Sequence, residues 1–278
     1  MRLWIWLPMI LLCTLLVNEV QADLDPFEFQ IYPYQTGGKG KLDPQLLSSF
    51  VPSGFRDGGA GTSADGTIGS QYMARNAAEF EYGLTRKIDF AYYVNVADSP
   101  YFDGGVPQYA GSKFRLRGQF FEKDQLPINM GWYSEIEWWG KQFEDNLVEG
   151  EIMLITQKDI GRWTFIVNAP DLDHGFVGAD VGKWFSLGYR AEVRYWISKN
   201  LTLALQGYGT SGQLQNPHQM RDQQHYIVPS VHVMLPGEIP ANFGIGFGLT
   251  PNSDEVIFKT IIYFGGKGSL ARDIRLWR

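Results

Sequence analysis

Lys113, Arg115 and Arg117 set three cations at alternate positions. Glu135 and Glu137, then Glu149 and Glu151, repeat the spacing with carboxylates, and Arg190, Glu192 and Arg194 repeat it with mixed signs. In an extended strand, residues two apart share a face, so each run presents a row of ionised groups. The residues between or next to them, Phe114, Leu116, Ile136, Ile152 and Val193, face the other way and are apolar. Ionised rows bind or guide a solute where they line a passage. They neutralise one another where they fill a closed interior. Both readings fit the spacing.

Catalysis finds less support. A serine nucleophile needs a histidine within reach and a group to orient that histidine. His174 and His218 fall in expected loops, and His225 and His232 lie seven positions apart on one strand and so face opposite sides. Neither G-x-S-x-G nor H-E-x-x-H occurs. Asp171, Asp173 and His174 offer metal-type ligands, but a solvated loop is the reading adopted. No enzyme, cofactor or metal is expected.

The elements that would carry these rows are strands of about ten residues separated by turns. A soluble core does not accept three cations in succession on its inner face, whereas a barrel in lipid has a greasy outside and a wet lumen. The fold expected is therefore all-β: a single antiparallel transmembrane β-barrel of about twelve strands with short periplasmic turns and longer external loops. The strands are read at Phe27–Tyr34, Ala77–Leu84, Ile88–Val96, Gly111–Phe121, Ile128–Trp139, Leu147–Thr156, Arg162–Ala169, Leu187–Ile197, Leu201–Gly209, Gln224–Leu235, Ala241–Leu249 and Glu255–Phe264. Residues 36–76 form an unusually long first external loop, with a short helix at Asp43–Leu47 capped by Asp43 and the glycine-rich stretch Gly54–Gly69. That loop is either a surface lid or a fold into the barrel mouth.

The outward set includes Phe80, Tyr82, Phe90, Tyr92, Phe114, Leu116, Trp132, Trp138, Trp163, Phe165, Leu203, Leu205, Phe243, Ile245, Phe247 and Phe258, and none is charged. A Lys or Arg on the midplane lipid face costs about 2–4 kcal/mol. Trp138, Trp139, Trp163, Tyr195, Trp196 and Tyr263 fall near strand ends, where rings prefer the interface. The inward cations are Lys113, Arg115, Arg117, Arg162, Arg190, Arg194 and Lys259. Glu28, Glu79, Glu81, Asp89, Glu135, Glu137, Glu149, Glu151 and Glu192 nearly balance them. Opposite charges on adjacent strands predict a ladder across the wall, Arg115 and Arg117 beside Glu135 and Glu137. Gly244, Gly246 and Gly248 leave a bare inward stripe.

The first residues read as an export signal: Arg2, the apolar run Leu3–Val17, and Val20-Gln21-Ala22 as the cleavage pattern. Cleavage after Ala22 removes Cys13, the one cysteine, and leaves residues 23–278 as the barrel domain, with 265–278 as a C-terminal tail. That tail either hangs free or adds to the wall. The net charge of −6 argues against nucleic acid as a partner. Outer-membrane lipids are the expected surroundings, the barrel-assembly machinery a partner during biogenesis, and the small-molecule solute is not specified.

The segments Glu81-Tyr82-Gly83-Leu84-Thr85-Arg86-Lys87-Ile88, Tyr109–Arg117 and Arg221-Asp222-Gln223-Gln224-His225-Tyr226 resemble Gram-negative outer-membrane β-barrels of the phenol-degradation (MetA) pathway and uncharacterised transporter type. The resemblance spans most of Phe27–Phe264. It implies an outer-membrane location and passage of small solutes, hydrophobic ones among them. It carries no catalytic residues over.

Overall fold

The computed structural model describes residues 24, 27–55, 69–100, 102 and 106–265. The strands are β1 Leu42–Ser53, β2 Ala74–Gly83, β3 Ile88–Asp98, β4 Gln108–Gln119, β5 Asn129–Trp139, β6 Asn146–Ile160, β7 Trp163–Gly178, β8 Ser186–Ser198, β9 Leu201–Gln213, β10 Gln224–Leu235, β11 Ile239–Gly248 and β12 Val256–Tyr263. Each pairs antiparallel with its sequence neighbour, and β1 pairs with β12, so the sheet closes on itself. Closure leaves no unpaired edge. The all-β, single-barrel expectation holds, and so does the count of twelve.

Alternation makes these segments strands and assigns their faces. Along β4, Phe114 and Leu116 are 42% and 41% exposed, while Lys113 and Arg115 between and beside them are 1% and 0% exposed. Outside, Phe114 meets Phe90, Tyr92 and Trp138 from both neighbouring strands, with ring centroids 5.8, 4.8 and 5.6 Å away. Such cross-strand aromatic pairs stabilise a sheet and fix its register. Tight links at 84–87, 161–162, 199–200 and 236–238, with the longer 120–128, gather at one end; 54–73, 99–107, 140–145, 179–185, 214–223 and 249–255 gather at the other.

The first strand lies elsewhere than the alternation of Phe27–Tyr34 suggests. Leu42–Ser53, read in part as a capped helix, is the wall strand, paired with β2 and β12 along its length. Asp43 is buried and accepts a hydrogen bond from Gly265 N at 2.9 Å, so it is no helix cap. Pro44 stands near the start of the strand, where a missing donor costs least. The first loop is correspondingly shorter, at 54–73.

Two smaller corrections follow from the same face logic. Trp139 and Trp196 are buried inside, because neighbouring residues Trp138 and Tyr195 already hold the outer face. Arg162 is exposed in the β6–β7 turn. The expected signal (1–22) lies outside the described residues, as do the tail beyond Gly265 and the middle of the glycine-rich stretch.

Candidate functional site

The residues read as a first strand run through the barrel. Leu24 N donates to Gln224 Oε1 at the long-loop end, at 3.1 Å. Thr36 Oγ1 donates to the Arg86 carbonyl in a turn at the opposite end, also at 3.1 Å. Gly38 and Gly40, with φ of 78° and 74°, then reverse the chain into β1. Glycine takes this left-handed conformation without steric cost. Gly40 N is fixed on the Gly83 carbonyl at 2.7 Å.

The described residues of this thread join no β-ladder, so wall side chains must satisfy its backbone. Asn168 does so reciprocally: its Oδ1 accepts from Tyr32 N at 2.7 Å and its Nδ2 donates to Tyr32 O at 2.9 Å. Gln157 Oε1 accepts from Tyr34 N at 3.2 Å, and Asp89 Oδ2 from Gly37 N at 3.0 Å. The Phe29 carbonyl accepts from the Tyr208 hydroxyl at 3.1 Å and from Lys259 Nζ.

The side chains of the thread divide between two walls. Phe29 and Ile31 pack with Val51, Ile166, Tyr208, Tyr226, Val228 and Ile257. Phe29 meets Tyr208 and Tyr226 edge-on, at 5.3 and 5.4 Å. On the other side, Glu28 takes Lys113 Nζ at 3.0 Å and Arg190 Nη1 at 3.2 Å, and also the Tyr32 hydroxyl. Tyr32 packs against Tyr133 with the rings tilted, centroids 4.8 Å apart, and lies under the guanidinium groups of Arg115 and Arg117, at 5.1 and 5.5 Å. Cations over aromatic faces are attracted to the ring quadrupole.

All the predicted site residues but Glu149 fall into three groups, the second of them built on Lys113 and Arg190 with Glu28 between them. Arg115 and Arg117 form a cage with Glu81 and Asp89, and Arg115 adds Glu79 at 2.8 Å. Register does place Arg115 opposite Glu135, yet its ion pairs run the other way, to β2 and β3. Lys113 is the cation that holds Glu135 and Glu137, at 3.2 and 3.5 Å. Glu151 and Asp171 bind Arg190, at 2.9 and 3.0 Å. The third group is Glu192 with Arg194, His232 and Gln206, at 2.7, 2.7 and 2.8 Å. Glu149 stands apart, half-buried and hydrogen-bonded to Asn146 at 2.6 Å.

Several of the partners were not among the predicted site residues. Glu28 belongs to the expected wall strand Phe27–Tyr34. Asp171 falls in the expected solvated loop that follows the strand Arg162–Ala169. Pro170 instead sits where β7 slips register between Asn168 and Asp171, and the strand continues to Gly178. Such a bulge re-aims the residues beyond it. Ile166 and Asn168 are buried before it, Asp171 after it. His174 turns away from the lumen row, its ring against Phe176 and Phe185. The space beside Gly244 and Gly246 is taken by Val228, Ile257 and Lys259.

No protein-family model and no curated protein matches the chain. Among solved structures, an outer membrane channel from Pseudomonas putida F1 is similar at TM-score 0.54 and 12% identity, over 87% of this chain and 98% of that one. The NanC porin is similar at TM-score 0.51 and 11% identity, over 80% of this chain and 98% of that one. An outer membrane phospholipase A from Escherichia coli aligns at TM-score 0.47 and 9% identity, over 84% of this chain and 98% of that one. At such identities the shared property is the fold: a closed antiparallel barrel.

Proposed function

We propose that this chain is an outer-membrane channel for small solutes whose resting state is closed by its own N-terminal segment. Residues 1–22 then serve as the export signal, cut after Ala22, and the barrel-assembly machinery inserts the cylinder. An uncharged apolar exterior on all sides supports the location, since only hydrocarbon tolerates a belt such as Phe80, Phe114, Leu205, Ile245 and Phe258 around a closed sheet. One observation carries the closed state: the thread from Phe27 to Gly37 is ion-paired and hydrogen-bonded to opposite walls. The passage of small solutes, hydrophobic ones included, rests on the sequence resemblance and on the size of the barrel.

Conduction then requires the thread to shift, and its ionic anchor is Glu28. In planar bilayers the full chain should be silent or open rarely, and Glu28→Gln should open often. Liposomes carrying the variant should take up small aromatic and aliphatic solutes faster than liposomes carrying the parent. An inserted Glu28→Gln barrel that stays silent would favour a second reading: a closed barrel that presents its long loops. The near-complete burial of the lumen groups favours that reading and gives it standing.

The catalytic alternative needs an imidazole on a nucleophile. His232 Nε2 is engaged by Glu192 at 2.7 Å, and His225 by Tyr189 and Gln223 at 3.2 and 2.8 Å. Ser253 meets the backbone of His225 at 2.9 Å. These partners give no support to acyl transfer.

A further inference from the structure

Three carboxylates stand in one row on the inner wall. Register puts Glu135 of β5 directly opposite Glu151 of β6, and Glu151 directly opposite Asp173 of β7. Like charges so placed destabilise a sheet. Glu137 and Asp171 flank the row. Carboxylate oxygens of Glu135, Glu137 and Glu151 lie within 4.8 Å of one another, and so do those of Glu151, Asp171 and Asp173. Lys113 and Arg190 reach the group, but both also serve Glu28. Negative charge is left in excess.

A second observation is independent of the crowding. Among the described residues, Glu135 Oε2 and Asp171 Oδ1 are buried and accept no hydrogen bond. The side chains that carry them are 0% and 2% exposed. A buried carboxylate oxygen without a donor is costly, and more so beside other carboxylates. A cation, a proton or a water must supply what the wall does not.

We propose that Glu135, Glu137, Glu151, Asp171 and Asp173 form a divalent-cation site that ties β5, β6 and β7 together beside the thread. An all-oxygen, all-carboxylate donor set suits a hard cation, and several adaptable carboxylates suit calcium better than the smaller, geometrically strict magnesium. The site does not depend on whether a solute passes. The bulge at Pro170 completes it by turning Asp171 inward, where an unbroken strand would have pointed Pro170.

The full chain, refolded in detergent and stripped with chelator, should bind calcium saturably near neutral pH by titration calorimetry and equilibrium dialysis. Calcium should also raise its unfolding temperature. Trp139 Nε1 donates to Glu137 Oε2 at 2.7 Å, so terbium bound in the row should luminesce on tryptophan excitation. Added calcium should quench that signal by displacement. Glu135→Gln and Asp171→Asn should each weaken terbium and calcium binding at least tenfold, while Glu238→Gln in an exposed turn should leave both unchanged. No saturable uptake by the wild-type chain would overturn the proposal whether or not the variants fold. So would uptake unaffected by Glu135→Gln, or infrared bands of protonated carboxylic acids that persist at neutral pH with saturating calcium and vanish in Glu135→Gln.

Discussion

The two walls that hold the thread work by different physics. On one side, Glu28 and Tyr32 meet Lys113, Arg190, Arg115 and Arg117, a wall of buried ionised groups. On the other, Phe29 and Ile31 meet Tyr208, Tyr226, Val228 and Ile257, with Lys259 reaching the thread's backbone. The ionic wall is specific but fragile: removing one partner strands the others without water. The apolar wall is less exacting, and its loss is graded by the volume removed. Together they hold a segment whose described residues join no β-ladder.

Substitutions across the two walls should rank accordingly. Arg115→Ala should be the most damaging, because Glu79 loses the cation it pairs with and Glu81 and Asp89 are left to Arg117. Breaking a buried ion pair from one side costs about 3–5 kcal/mol, and denaturant titration in detergent should show a loss in that range. Phe29→Ala should cost about 3 kcal/mol through the cavity it leaves between Tyr208 and Tyr226. It should also free the thread for proteolysis while the barrel keeps its heat-modified gel mobility. Glu28→Gln should cost less, about 2 kcal/mol, because Lys113 and Arg190 keep carboxylate partners on the wall. Lys259→Met should be smallest, within about 1 kcal/mol, since the Tyr208 hydroxyl still serves the Phe29 carbonyl. If Phe29→Ala exceeded Arg115→Ala, the division of labour drawn here would be reversed.

The contrast between the walls also explains what the sequence made legible. Lys113-Phe114-Arg115-Leu116-Arg117 reads directly as a barrel strand, because lipid and lumen demand opposite side chains at successive positions. Phe27–Tyr34 shows the same period for a different reason: its alternate residues meet an ionic wall and an apolar wall, both inside. Period two cannot separate these cases. Pro33, which cannot donate to a ladder, was the local sign against a central strand. Leu42–Ser53 was obscured in turn by Asp43-Pro44, a pair that also begins helices. Strand order and inward rows could be read from local pattern. Which carboxylate each arginine chooses could not, because Arg115 passes over the directly opposed Glu135 for Glu79, Glu81 and Asp89. Asp171 depended on a bulge that Pro170 disguised as an end.

The occupancy of the lumen by the N-terminal thread is best tested by joining it to the wall. Cysteines replacing Tyr32 and Asn168, whose backbone and amide are hydrogen-bonded at 2.7 and 2.9 Å, should be linked by a short bismaleimide in the folded, membrane-inserted chain. The linked protein should migrate as a closed loop on denaturing gels and should stay electrically silent in bilayers. Failure of the two sites to link in a barrel that is otherwise folded would place the segment outside the lumen and contradict the account.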